Sequence, residues 1–151
     1  YERAGDIGRA IPLHERTLQD RERVLGDDHP DTLTSRSNLA VAYERAGDIG
    51  RAIPLHERTL QDRERVLGDD HPDTLASRSN LAVAYLAVGE LERAISLLEG
   101  TLQGRKRVLG DDHPDTLTSR NNLAHACQMA QELDRPRSTR RFRPPWFTRR
   151  R

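Results

Sequence analysis

The chain has 151 residues, of which 34% are hydrophobic, 32% are charged and only 4% are aromatic. This composition is too polar for a compact globule with one deep core and favours a thin, extended structure whose elements each bury one face. A single cysteine and the lack of a long apolar run exclude a disulfide framework, a thiolate metal cluster and a membrane-spanning segment. We expect a cytoplasmic protein.

Charge is distributed unevenly along the chain. Eight arginines lie in residues 135–151, a stretch without Asp or Glu. Removing these eight charges from the net charge of +1 leaves −7 for residues 1–134. An acidic body followed by a basic end is typical of an interaction tail.

An internal repeat of 42 residues dominates the sequence. Residues 1–42 and 43–84 differ at one position only, where Thr34 corresponds to Ala76. Residues 85–126 match the second copy at about two thirds of positions, and a partial fourth copy begins at Cys127. A fixed period of this length predicts stacked units, each too small to bury its apolar face alone.

Each unit is predicted to contain two helices. Pro30 suits the first position of a helix, Gly47 ends that helix, and Asp48 can cap the next one. The first helix of a pair should cover about residues 30–46 and the second about 48–67. We therefore predict an all-α solenoid of about five helices over residues 1–134.

Two prolines interrupt this pattern. Pro12 and Pro54 each fall about one and a half turns into a second helix, where proline removes a backbone donor. We expect either a kink or a helix that becomes regular only at the proline.

The repeat resembles the tetratricopeptide repeat, through a Leu-Ala-x-Ala-Tyr motif followed by a glycine and an alanine. In one unit these residues are Leu39 to Tyr43, Gly47 and Ala52. The segment Arg-Val-Leu-Gly-Asp-Asp-His-Pro-Asp-Thr-Leu returns unchanged at 23–33, 65–75 and 107–117, as in the longer variant of kinesin light chains and bacterial multi-repeat proteins. The resemblance implies a right-handed superhelix.

There are departures from the family pattern. His14 and His56 stand where the family usually has an aromatic residue, and Leu98 fills that place in the third copy. The first unit lacks its first helix and the last lacks its second. We expect the sequence to be a fragment of a longer protein, because it lacks an initiator Met.

The resemblance also implies a groove lined by the first helices, which takes an extended peptide or a helix of a partner protein. An asparagine side chain can donate to a peptide carbonyl and accept from its amide, so Asn38, Asn80 and Asn122 form a candidate ladder for peptide backbone. The groove positions are Thr34, Ser37, Asn38, Val41 and Arg45, then Ala76, Ser79, Asn80, Val83 and Ala87, then Thr118, Asn121, Asn122, His125 and Met129.

Three repeated arginines leave two interpretations open. Arg36, Arg78 and Arg120 could pair with acidic groups of a ligand. They could instead pair with carboxylates of neighbouring helices.

Nothing in the sequence predicts an enzyme or a cofactor site. The Asp-Asp-His triplet that begins at Asp27 and its two copies could suggest a metal, but adjacent residues of one loop rarely point at one centre, and helix capping is favoured. His14 and His56 are expected to pack in the helix stripes, and Cys127 to be buried in place of a core tyrosine.

Two other functions are alternatives to protein binding. The Arg- and aromatic-rich end could bind nucleic acid or an anionic surface, although disorder is favoured there and a resting place on the acidic body is a third option. Alternatively, uncapped helix faces could make the chain a self-associating spacer and homo-oligomer.

Overall fold

The computed structural model describes residues 4–135. These residues contain no strand and form six helices, one more than the approximate five predicted from the repeat. The helices are α1 (Ala4–Leu25), α2 (Pro30–Arg45), α3 (Ile49–Leu67), α4 (Pro72–Ala87), α5 (Leu91–Leu109) and α6 (Pro114–Asp134). Each helix packs against the next one along the chain, which is the arrangement of a solenoid.

The repeated Gly-Asp-Asp-His-Pro segment joins a second helix to the next first helix. Its glycine adopts a positive φ, 88° at Gly26, which a side chain would disfavour. His29 is the N-cap of α2, and its Nδ1 accepts a hydrogen bond from the backbone N–H of Asp31 at 3.1 Å. The same cap recurs in the other two copies. The predicted capping role is therefore confirmed for the histidine of each triplet.

The other type of turn connects the two helices of a pair. Gly47 has φ 81°, and Asp48 caps α3 by accepting from the N–H of Arg51 at 3.2 Å. Helix α3 begins at Ile49 and runs unbroken through Pro54, so it is already helical before the proline. One of the two outcomes expected at Pro54, regularity only from the proline onward, is therefore not observed.

The core consists of two clusters of alanine and leucine side chains, each with one tyrosine. The larger cluster joins α3, α4, α5 and α6, and the smaller joins α1, α2 and α3. Their buried members are Leu60, Leu81, Ala82, Tyr85, Ala94, Leu98 and Ala126 in the first, and Leu18, Leu39, Tyr43 and Ala52 in the second.

Polar contacts with a fixed register hold successive repeats together. Arg63 donates to the hydroxyl of Ser77 at 2.7 Å and to the carbonyl of Asp73 at 3.2 Å, and the same pair of bonds occurs in the copies on either side. Burial lowers the pKa of Arg63 below its usual value. The tyrosine hydroxyl of each complete repeat donates to a glutamate of the preceding second helix, Tyr43 to Glu15 in the first case.

Cys127 corrects one sequence-based expectation. It occupies the place of the buried tyrosines Tyr43 and Tyr85, yet it is only half-buried. The reason is that α6 is packed on one side by α5, and the described residues contain no later helix to cover its other side.

Candidate peptide-binding surface

The predicted groove residues follow one face of each first helix. We call α2, α4 and α6 the first helices and α1, α3 and α5 the second helices. Positions separated by four, three and four residues lie on the same side of a helix. This spacing defines the first-helix stripe, which consists of Thr34, Asn38, Val41 and Arg45, of Ala76, Asn80, Val83 and Ala87, and of Thr118, Asn122, His125 and Met129.

The stripe lies outside the core. On α2, Leu33 and Ala40 are buried, whereas Thr34, Asn38 and Arg45 are exposed. On α4, Val83 is 50% exposed. Every other stripe residue is exposed or half-buried, and so are the adjacent predicted residues Ser37, Ser79 and Asn121.

The three asparagines of the stripe have no partner within the structure. Asn38 is exposed, and Asn80 and Asn122 are half-buried. Their side-chain amides make no hydrogen bond to any residue among those described. Each amide therefore has a donor and an acceptor available for a ligand.

Part of the stripe borders a cavity. A space of about 240 Å³ lies between α1 and α2. Asn38, Val41 and Arg45 line it from α2, and Ile7 and His14 line it from α1. The lining combines polar groups, Asp6 and Arg45 among them, with apolar ones, so the space could take a side chain of a ligand.

The repeated arginines are positioned differently from the asparagines. Arg36 is completely buried and donates to Asp62 on α3 at 2.6 Å and to Glu22 on α1 at 3.2 Å. Arg78 has a side chain only 13% exposed and pairs with Glu64 at 2.8 Å. These two arginines therefore pair with neighbouring helices, the second of the interpretations that the sequence left open.

Arg120 is the exception among the three arginines. Its side chain is 48% exposed and lies 3.5 Å from Asp111 in the loop before its own helix. Lys106 occupies the position of the glutamates that accept from the other two arginines. Arg120 is thus the most accessible of the three to an acidic ligand.

A polar pair with one fully buried member joins α2 and α3. His56 is 1% exposed, and its Nε2 is 3.1 Å from a carboxylate oxygen of Glu44. Burial lowers the pKa of His56 to about 4 and raises the pKa of Glu44. At neutral pH His56 is uncharged, and as expected it is packed rather than positioned as a catalytic base.

The described residues offer no metal-binding arrangement. Among residues 4–135, no three His, Cys, Asp or Glu side chains come together in a way that could hold an ion. In the same part of the chain, no helix is long and apolar enough to cross a membrane.

Two family models, both described as tetratricopeptide repeat, match residues 1–63 and 74–115. The chain belongs to the tetratricopeptide repeat family. Repeats of this family form extended binding surfaces and serve in general as protein-interaction scaffolds rather than enzymes. No curated protein matches the sequence.

Solved structures of similar repeats support the kinesin light chain-like variant. Nearly identical repeats of a candidate kinesin light chain from Podosopora anserina are 32% identical, with a TM-score of 0.80 over 85% of this chain and 61% of that one. A point variant of those repeats gives the same values. BtubC (BKLC) from P. vanneervenii shares the fold at 22% identity, with a TM-score of 0.77 over 85% of this chain and 51% of that one. The chain thus spans about three fifths of the first two structures and about half of the third.

Sequence reasoning missed two cavities beside the second helices. One lies between α1 and α3, and the other lies between α4 and α5. The first is built from residues of successive second helices that are far apart in the sequence, so no local motif marks it. The only available signal was the set of substitutions between copies two and three on the second helix.

Proposed function

We propose that the chain is a protein-interaction scaffold whose first-helix stripe binds an extended peptide or a helix of a partner. The observation that carries this proposal is the ladder of Asn38, Asn80 and Asn122, which occupy equivalent positions on three successive first helices and have no partner among the described residues. Asparagine side chains can hold peptide backbone without selecting sequence.

The neighbouring side chains favour an uncharged or weakly charged ligand. Val41, Val83 and Met129 supply apolar contact along the stripe, while Arg36 and Arg78 are already neutralised by Asp62 and Glu64. Because two copies of the stripe are nearly identical, a ligand with similar residues at regular spacing would fit best.

The proposal can be tested with a peptide selected on the protein from a random display library. We expect replacement of Asn38, Asn80 and Asn122 by Ala to weaken binding by about one to two orders of magnitude, because each neutral hydrogen bond contributes about 1 kcal/mol. Fluorescence anisotropy of the labelled peptide would measure this change in Kd.

The chain offers a matched control on its second helices. Gln19, Gln61 and Gln103 also repeat once per copy, carry amide side chains and are exposed. Their replacement by Ala should leave the affinity unchanged. Equal affinity of the asparagine variant and the wild type, or a loss only in the glutamine variant, would reject the assignment of the stripe.

A further inference from the structure

The two cavities beside the second helices contain equivalent positions but differ in chemistry. The first groove lies between α1 and α3 and has a volume of about 620 Å³. The second lies between α4 and α5 and has a volume of about 420 Å³. We call them the first and second outer grooves. Leu39 and Tyr43 line the first, and their counterparts Leu81 and Tyr85 line the second.

Three substitutions, two of which change the charge, distinguish the second outer groove from the first. Gly50, Pro54 and Arg58 line the first groove, and Glu92, Ser96 and Gly100 occupy the corresponding positions one repeat later. The second groove therefore gains a carboxylate and loses a cation. In the first groove, Arg58 is paired with Asp27 at 3.1 Å.

The carboxylate gained in the second groove is available for a ligand. Glu92 is exposed and makes no ion pair or hydrogen bond with the residues that the structure describes. The other charges there are already paired, because Arg93 stacks over the Tyr85 ring at 4.6 Å and lies 3.9 Å from Glu57. Leu81 and Leu97 complete an apolar and aromatic lining. This groove suits a ligand that combines a cation with an aromatic side chain.

The same chain contains a segment of that chemistry. Residues 136–151 contain seven arginines together with Phe142, Trp146 and Phe147, and no acidic residue. The net charge of −7 on residues 1–134 is complementary to this segment.

The end of α6 lies close to the second outer groove. The bonds from Tyr43 to Glu15 and from Tyr85 to Glu57 fix the register between a second helix and the following first helix. The equivalent pair on α5 and α6 is Glu99 and Cys127. Because these helices are antiparallel, Glu92 two turns before Glu99 lies beside Asp134 two turns after Cys127. The chain therefore leaves α6 beside the carboxylate of the groove.

We propose that the second outer groove binds residues 136–151 of the same chain, with arginine at Glu92 and an aromatic side chain on Leu97. A tethered segment has an effective concentration near the millimolar range, so weak individual contacts are sufficient. This site is separate from the first-helix stripe and leaves the stripe free.

Trp146 allows a direct test, since it is the only tryptophan. We expect its emission to be blue-shifted, and its quenching by acrylamide to be weaker, relative to a free peptide of residues 136–151. Salt at 1 M, where the Debye length is about 3 Å, should reduce this protection. Glu92→Gln should lower the ratio of bound to free segment by about two- to five-fold, and Glu92→Arg should lower it further.

Glu99→Arg is the matched control. It makes the same charge change on another exposed and unpaired residue of α5 that does not line the groove. Circular dichroism would establish that both variants keep their helices. Three results would overturn the proposal: wild-type Trp146 as accessible as in the free peptide, equal effects of Glu92→Arg and Glu99→Arg, or protection that increases with protein concentration and so reports binding to a second copy.

Discussion

The pair α2 and α3 and the pair α4 and α5 have the same architecture but different interface chemistry. Where the first pair packs Glu44 against His56, the second packs Leu86 near Leu98. His56 is 1% exposed and Leu98 is fully buried, so the position is equally covered in both. A buried polar pair and an apolar contact thus serve the same geometric role.

A second contrast involves the repeated arginines. Arg36 donates a hydrogen bond to Asp62 across the first pair. In the second pair, Gly104 occupies the position equivalent to Asp62. Leu75 packs so closely on Gly104 that an added Cβ would come within 2.6 Å of it. The turns fix how the two helices of a pair pack, so the interface between them can be either charged or apolar. The stability of the charged interface depends on pH, because its buried groups must keep their partners and their protonation states.

The largest expected effect concerns the arginine of the charged pair. Arg36→Ala should destabilise the protein by about 3 kcal/mol, because Asp62 and Glu22 lose the buried guanidinium that they share, and Asp62 keeps only the exposed Arg65 at 3.2 Å and Arg58 at 4.0 Å. Arg120→Ala removes an equivalent but half-exposed guanidinium and should cost less than about 1 kcal/mol. Urea denaturation followed by circular dichroism measures both. Equal urea midpoints for the two variants would show that the burial of Arg36 does not determine how much it stabilises the fold.

Acid should weaken the first pair selectively. The pKa of His56 is about 4 in the folded protein, below its value of 6.5 in an unfolded chain. The unfolded state therefore binds more protons between these values, so the contribution of His56 is complete above 6.5 and is lost as pH falls toward 4. Between about pH 7 and about pH 5 we expect the contribution of His56 to the free energy of unfolding to fall by about 2 kcal/mol, partly offset by Glu44, whose raised pKa acts in the opposite direction. Urea titrations at the two pH values provide the measurement.

The second pair supplies the control for this pH dependence. Replacing Glu44 and His56 by Leu reproduces the residues that α4 and α5 carry at these positions. The double variant should be at least as stable as the wild type at neutral pH, and it should lack the part of the acid response that belongs to His56. An unchanged response in the double variant would mean that other groups cause it.

The sequence predicted the elements of the fold because their signals are local. The predicted helices at about 30–46 and 48–67 are observed at Pro30–Arg45 and Ile49–Leu67, and the caps at His29 and Asp48 are formed by adjacent residues. The resemblance to the tetratricopeptide repeat also indicated which residues of a first helix would lie outside the core. That these residues bind a peptide stays a prediction.

The interactions between repeats could not be predicted from the sequence. The partner of Arg36 on α3 is 26 residues away, and its choice depends on how closely two helices approach. The half-exposed state of Cys127 likewise depends on the packing around α6 rather than on its own repeat position. The expected disorder of residues 135–151, and their binding of nucleic acid or anionic surfaces, fall outside the described residues except at Arg135.

Two glycines of α5 provide the smallest and sharpest test of the comparison. Gly100→Ala should stabilise the protein by about 1 kcal/mol, because alanine favours a helix and the nearest atoms, of Arg78, are 3.7 Å from the new Cβ. Gly104→Ala gains the same propensity, but its Cβ would meet the buried Leu75, whose displacement should cost about 1–3 kcal/mol. Thermal unfolding should therefore place the midpoint of Gly104→Ala below that of Gly100→Ala. The reverse order of the two midpoints would mean that Leu75 can move freely. The interface between α4 and α5 would then accept a larger residue at position 104, as the interface between α2 and α3 accepts Asp62 at the equivalent position.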